Sequence, residues 1–193
     1  MSSENDKNSP VAIGPWWRKS SELIYDNPWI SLRHEEVITP AGSDGIYGKI
    51  HFKNRALGII PLDENLQTVL VGQYRYALDE YSWEIPMGGG SFDQSPLSAA
   101  QRELQEETGL HGGDWQQLFK LHTSNSVTDE EGYVFLARNL QPGQQALEDT
   151  EGDLVLKQLP LKDAVAMVTR GEITDLISIA GLLAVEKLLK SGD

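Results

Sequence analysis

Residues 95–109, Ser-Pro-Leu-Ser-Ala-Ala-Gln-Arg-Glu-Leu-Gln-Glu-Glu-Thr-Gly, constrain the fold more than any other stretch, because both ends of a helix are written into them. Ser95 can accept a hydrogen bond from a free amide of the first turn, Pro96 suits the first helical position, and Gly109 suits a left-handed cap. A helix over Pro96 to Thr108 is predicted. At about 100° per residue, Leu97, Ala100, Leu104 and Thr108 share the face expected to pack. Ala99, Glu103, Glu106 and Glu107 share the opposite face.

That acidic face is costly for an isolated helix. Like charges at i, i+3 and i, i+4 cost a few tenths of a kcal/mol per pair, and anions in the last turn oppose the helix dipole by about 0.3–1 kcal/mol. A hard divalent cation such as Mg²⁺ or Mn²⁺ reverses both penalties, because it prefers carboxylate oxygens and supplies countercharge. The alternative is a solvated acidic face with Arg102 paired to Glu106. Gly88-Gly89-Gly90, just ahead of the helix, reads as a tight turn that lets backbone approach a ligand.

The remainder of the chain supplies strands and two more helices. Residues 1 to about 14 read as a polar, disordered leader, with order beginning near Trp16-Trp17. Strand-like pieces between Leu23 and Lys53, turning at Thr39-Pro40-Ala41-Gly42, predict a small antiparallel β appendage over residues 15–54. The runs ALGIIPL and TVLVGQYRYAL, split at Asp63-Glu64-Asn65, open a main domain over residues 55–193 as buried strands. Further strands are expected near Trp115 to Lys120, Gly132 to Ala137 and LVLKQLP. Helices are expected over Leu161 to Arg170 and Leu176 to Leu189, broken at Gly171 and Asp175. Strands and helices mixed without a βαβ rhythm predict an α+β fold or a layered α/β/α domain.

Composition narrows the function. A formal net charge of −13, from 29 Asp and Glu against 16 Lys and Arg, argues against a nucleic-acid partner. The absence of cysteine excludes disulfides, thiolate metal sites and cysteine nucleophiles, and fits the cytoplasm. No run approaches the roughly 18 apolar residues of a membrane span, and MSSENDKNSP lacks a signal-peptide core, so no membrane partner is expected. His34, His51, His111 and His122 lack zinc-ligand spacing.

With Gly88, Arg102, Glu103, Leu104, Glu106, Glu107, Gly109 and Leu110 in place, the segment resembles the signature of the Nudix hydrolase superfamily, G-x5-E-x7-R-E-U-x-E-E-x-G-U with U apolar. Gln94 stands where that signature has its first glutamate. Gly72-Gln73-Tyr74-Arg75-Tyr76 and Trp83-Glu84-Ile85-Pro86-Met87-Gly88 are similar to the Q-x-R-Y…W-E-x-P-x-G pattern of the ADP-ribose pyrophosphatase-like branch. The pieces NPWI and TPAG, Tyr133 to Ala137 and Gly171 to Asp175 extend the likeness over most of the chain.

The resemblance implies a Nudix-type α/β/α sandwich around a mixed sheet, N-terminal strands that help form a homodimer, and Mg²⁺ or Mn²⁺ as cofactor. It implies hydrolysis of the pyrophosphate bond of a nucleoside diphosphate linked to another group, such as ADP-ribose or GDP-mannose, to a nucleoside monophosphate and a sugar phosphate. On that reading Glu103 and Glu107 are the principal metal ligands, Glu106 is a further ligand or base, and the Met87 carbonyl completes the shell. Arg102 orients the glutamates, Arg75 serves phosphate, and Glu84 serves nucleotide or ribose. The bland alternatives for Arg75 and Glu84 are a surface ion pair and a strand-edge charge.

The resemblance also implies a general base on the acidic loop Glu148 to Asp153, where relatives of the ADP-ribose pyrophosphatase-like branch place theirs, at Glu151 first and Glu148 second; the alternative is a merely solvated loop. Trp83, with Tyr76 and Phe92, is a candidate to stack on a base; the alternative is a core aromatic. Set against the resemblance, in which ADP-ribose-preferring relatives often show a Ser-Pro-Gly-like turn after the signature, Ser124-Asn125-Ser126 implies nucleotide sugars or broad specificity. The runner-up function, suggested by Gln94, is a catalytically weak Nudix-fold nucleotide-binding or sensor module.

Overall fold

Short alternating runs punctuated by Gly, Pro and Asn pair locally, and the N-terminal quarter of the chain does so. In the computed structural model, which describes residues 9–147 and 151–191, β1 (Val11–Ile13), β2 (Trp16–Asp26), β3 (Ile30–Ile38) and β4 (Asp44–Phe52) form an antiparallel sheet in that order. Asn27 makes the β2–β3 turn by accepting the amides of Trp29 (2.9 Å) and Ile30 (2.7 Å) on its side chain. Residues 124–130 belong to this unit and bond β4 through the Ile50 amide to the Val127 carbonyl (2.9 Å). Residues 11–13, expected inside a disordered leader, are strand: Gly14 takes a left-handed turn at φ 56°, and Val11 to Ile13 fold back on Trp16 to Arg18. The leader's residues 1–8 lie outside the described residues.

The second unit, residues 54–123 with 131–193, holds the larger core. Its sheet runs β11 (Val155–Pro160), β6 (Gln67–Arg75), β5 (Asn54–Leu62), β10 (Glu131–Arg138), β9 (Asp114–His122), with β7 (Glu80–Glu84) on β6 and β8 (Met87–Ser91) on β5. Only β5 and β10 are parallel, so the sheet is mixed. β5 is apolar on both faces, NRALGIIPL, which suits a strand covered on both sides. Leu57 and Ile59, with Phe135 and Ala137 of β10, pack with Ala99, Ala100 and Leu104 of α1 (Pro96–Thr108). Ile60 and Leu62, with Val134 and Leu136, pack with α2 (Leu161–Thr169) and α3 (Leu176–Ser191) through Ala164, Val165, Ile177, Leu182 and Val185. The expected α/β/α sandwich follows.

The sheet forks, and the fork places the site. β5 and β6 pair only at Leu62 and Thr68; beyond that point β5 takes β8 as partner and β6 takes β7. Between the arms the Pro86 carbonyl accepts from the Ile59 amide (2.8 Å), and the Ile85 amide donates to the Ser178 hydroxyl (3.0 Å).

The predicted helix is present with both caps. The Ser95 hydroxyl accepts from the Ser98 amide (3.1 Å), and Gly109, at φ 75°, donates to the Gln105 carbonyl (2.8 Å). Two expectations change. Leu97, placed on the packing face, is 39% exposed, whereas Ala99, Glu103 and Glu107 on the acidic face are buried. The cause is the contact α1 makes with β8, besides those with β5 and β10. Gly88-Gly89-Gly90, expected to turn, is extended in β8 and pairs with Arg55 to Leu57.

Leu104→Ala is expected to cost about 2–5 kcal/mol, and Leu97→Ala within about 0.5 kcal/mol. Urea midpoints at unchanged slope will read the difference.

Candidate active site

The site is built where α1 crosses β8. Glu103 and Glu107 lie one turn apart on the face against that strand, 8% and 1% exposed. Glycine is required opposite them: a β carbon at Gly88 would collide with the Glu103 carboxylate, and one at Gly90 would crowd Leu57 and Ala99. With the backbone this close, the Met87 amide donates to Glu107 Oε2 (3.0 Å). The other oxygen, Glu107 Oε1, is buried with no hydrogen-bond partner among the described residues.

Arg102 ties the neighbouring oxygens together. Its guanidinium donates to Glu103 Oε1 (2.6 Å), Glu106 Oε2 (2.6 Å) and the Gly89 carbonyl (3.0 Å). The Arg102–Glu106 pair of the solvated-face alternative is therefore present, but the face it lies on is half buried. Burial pushes the Glu103 carboxyl up to about 7 despite the pull of Arg102. It pushes Glu107 up to about 9, with Glu151 and then Glu103 adding repulsion that the Met87 amide and Arg75 only partly offset. The structure thus brings Glu103, Glu107 and Glu151 within electrostatic reach of one another. Glu148 lies outside the described residues.

A hard divalent cation fits this donor chemistry. The candidate donors are carboxylates, one buried oxygen has no partner among the described residues, and repulsion from Glu151 and Glu103 is only partly offset. As the side chains stand, with Arg102 across Glu103 and Glu106, no three His, Asp or Glu side chains among the described residues are grouped closely enough to enclose an ion.

Arg75 and Glu84 face each other across the β6–β7 arm. Arg75 Nε donates to Glu84 Oε1 (2.9 Å), and a second guanidinium nitrogen pairs with Oε2. Glu84 is buried, so this is neither a surface ion pair nor a strand-edge charge. Both residues line a cavity of about 730 Å³ with Ser82, Met87, Thr174 and Asp175. Trp83 is not brought to it: successive side chains of β7 alternate, and Tyr81 and Trp83 lie over Gly72 on the other face. The Trp83 ring sits 5.5 Å from Tyr81 and 4.6 Å from Lys157 Nζ. Tyr76 is 97% exposed at the cavity rim, and Phe92 lies under the Arg55 guanidinium.

One set of residues was missed in the sequence. Gln145 Nε2 donates to the Glu107 carbonyl (2.5 Å) and the Ala146 amide to the Glu106 carbonyl (2.9 Å), strapping 141–147 onto the end of α1. Gly143 was the available signal, since it and Gly109 approach too closely for a side chain on either.

Comparison with known proteins agrees with this geometry. Residues 52–176 match the NUDIX domain, and residues 16–50 match the nucleoside diphosphate sugar hydrolase N-terminal domain. The chain belongs to the Nudix family. It is 36% identical over 173 residues to an ADP-ribose pyrophosphatase of Mycobacterium tuberculosis, covering 86% of this chain and 81% of that one. It is 30% identical over 167 residues to a GDP-mannose pyrophosphatase of Citrobacter koseri, covering 80% and 86%. A crystal structure titled ADP compounds hydrolase matches with a TM-score of 0.83 at 19% identity, over 94% of this chain and 98% of that one, a likeness of fold. Within the Nudix signature the structure buries Glu103 and Glu107 and leaves Glu106 half-exposed.

Raised carboxyl pKa values carry a stability consequence. Glu103 and Glu107 hold protons in the folded chain that they lose when unfolded, so this contribution is full below about pH 4.5 and is lost as pH rises through about 7 and about 9. Without metal, Glu107→Gln is expected to unfold a few degrees higher than wild type at pH 9, with the gap closing towards pH 5. Thermal scans in chelator at both pH values measure it.

Proposed function

We propose that this Nudix chain hydrolyses the pyrophosphate bond of a nucleoside diphosphate joined to a second group, ADP-ribose or a nucleotide sugar, releasing a nucleoside monophosphate and a sugar phosphate. The observation that carries the reading is the buried Glu103–Glu107 pair, with an unpartnered oxygen, on the same unit as the Arg75–Glu84 cavity. The names of the ADP-ribose and GDP-mannose relatives support the substrate class.

Glu103 and Glu107 hold a divalent cation, Mg²⁺ or Mn²⁺, with Glu106 and the Met87 carbonyl as further donors. Bound there, the cation supplies Lewis acidity towards phosphoryl oxygen and countercharge for the diphosphate. Arg102 orients Glu103 and Glu106. Arg75, held in plane by Glu84, offers its free guanidinium edge to phosphate, a geometry that suits bidentate binding. Glu84, with both oxygens on Arg75, positions the phosphate-binding guanidinium. Glu151 takes the proton of the attacking water; the new P–O bond forms as the bridging P–O bond breaks, and its electrons leave with the second phosphate. Trp83, on the far face of β7, contributes to packing.

Residues 15–54 form the appendage in this reading, with 124–130 added to it, and the remainder of 55–193 forms the hydrolase domain. The sheet of β1–β4 joins two copies into a homodimer, an assignment supported by its outward apolar side chains, with Ile46 72% exposed. The cytoplasm suits a cysteine-free chain in which no described helix is long and apolar enough to cross a membrane.

Incubation with Mg²⁺ and ADP-ribose, GDP-mannose and UDP-glucose is expected to release monophosphate. Glu151→Gln is expected to lower kcat by about 10²–10⁴-fold with KM little changed. Nucleotide binding without turnover in wild type would instead support the sensor reading. Ile46→Asp is expected to shift the sedimentation coefficient from dimer to monomer at micromolar concentration.

A further inference from the structure

The link between β8 and α1 is four residues, Phe92 to Ser95, and an arginine from β5 grips it. Arg55 NH1 donates to the Ser91 carbonyl (3.2 Å) and the Gln94 carbonyl (3.2 Å). Its Nε donates to Glu131 Oε1 on β10 (2.8 Å), and its guanidinium carbon sits 4.5 Å from the centre of the Phe92 ring. Glu131 is in turn paired with Lys120 of β9, and Lys120 and Arg55 together hold its carboxyl below the usual range. Both side chains of the Arg55–Glu131 pair are 18% exposed. Within the link, the Gln94 amide returns to the Ser91 carbonyl (3.1 Å) and the Asp93 amide to the Ser91 hydroxyl (3.2 Å).

A turn this short sets the register between the strand before it and the helix after it. That register decides where the Met87 amide meets Glu107 and where Gly88 leaves room for Glu103. We propose that Arg55, anchored on Glu131, is a positioning residue of the active site: by clamping the Ser91 and Gln94 carbonyls it fixes α1 against β8 and thereby aligns Glu103 and Glu107. Only a planar guanidinium has the fan of donors to reach a carboxylate and two carbonyls while stacking on a ring. Gln94 takes part through its backbone carbonyl. The inference rests on the metal-dependent reading above but concerns residues outside the signature.

The test compares full-length wild type with Arg55→Met, Arg55→Lys and Glu131→Gln. Mn²⁺ binding is measured by electron paramagnetic resonance without substrate, and kcat and KM are measured with ADP-ribose or whichever diphosphate is turned over. Arg55→Met is expected to weaken Mn²⁺ about tenfold and to lower kcat by a similar factor at unchanged KM. Glu131→Gln should move in the same direction, with Arg55→Lys between. Wild-type Mn²⁺ affinity and kcat in Arg55→Met, with only the melting temperature lowered, would overturn the positioning role. If Arg55→Met does not fold, Arg55→Lys and Glu131→Gln decide by the same criterion. Wild type that binds Mn²⁺ but cleaves no substrate would overturn the pyrophosphatase reading alone, and Mn²⁺ affinity would still decide Arg55. Wild type that binds no Mn²⁺ would overturn both.

Discussion

Two carboxyl groups, Glu103 and Glu107, are held out of water against the three glycines of β8, and the site depends on that burial. Removing a carboxylate from water costs several kcal/mol unless charge and hydrogen bonds replace the lost hydration. Here the replacement is partial. Arg102 serves Glu103 and Glu106, the Met87 amide serves one oxygen of Glu107, and the other oxygen is left over. The glycines of β8 are the condition for this, because only a bare backbone lets the helix approach closely enough for a main-chain amide to reach Glu107. Both carboxyls therefore keep their protons to higher pH than a solvated glutamate does.

The fork in the sheet connects those carboxyls to the cavity lined by Arg75 and Glu84. Because β5 and β6 part after Leu62 and Thr68, β8 carries the carboxylate-bearing contact while β7 carries Glu84, with Ile85 and Pro86 stitched between the arms. Arg75 is fixed in plane by Glu84, so its charge is already half spoken for. In a chain of net charge −13, one such arginine cannot neutralise a diphosphate by itself. Nudix membership and the electrostatics therefore point the same way, to divalent countercharge for the diphosphate.

Much of this was legible in the residues. Ser95, Pro96 and Gly109 marked the helix to the residue, since capping is local chemistry. The apolar runs of β5, β6 and β10 marked the central sheet, since burial on both faces leaves few polar positions. Other features were not legible. Gly88-Gly89-Gly90 reads as a turn by propensity, and became strand because the pairing with β5 and the approach of Glu103 outweigh it. Leu97 and Ala99 exchanged their expected exposures because α1 packs on β8 as well as on β5 and β10, which a single-face helical pattern does not reveal. Trp83 could not be assigned a face until the pairing of β7 with β6 was known.

By itself, the sequence determined which residues could do chemistry: the spacing of Arg102, Glu103, Glu106 and Glu107, the glycines ahead of them, and the acidic loop containing Glu151. Only the tertiary structure decided which carboxylates are buried, which oxygen is left unpaired, and that Arg75 and Glu84 hold each other. It alone brought Arg55, Glu131 and Gln145 to bear on α1. The division has one physical reason. Helix caps and side-chain spacing depend on neighbours a few residues away, whereas desolvation and charge pairing depend on neighbours that only folding supplies.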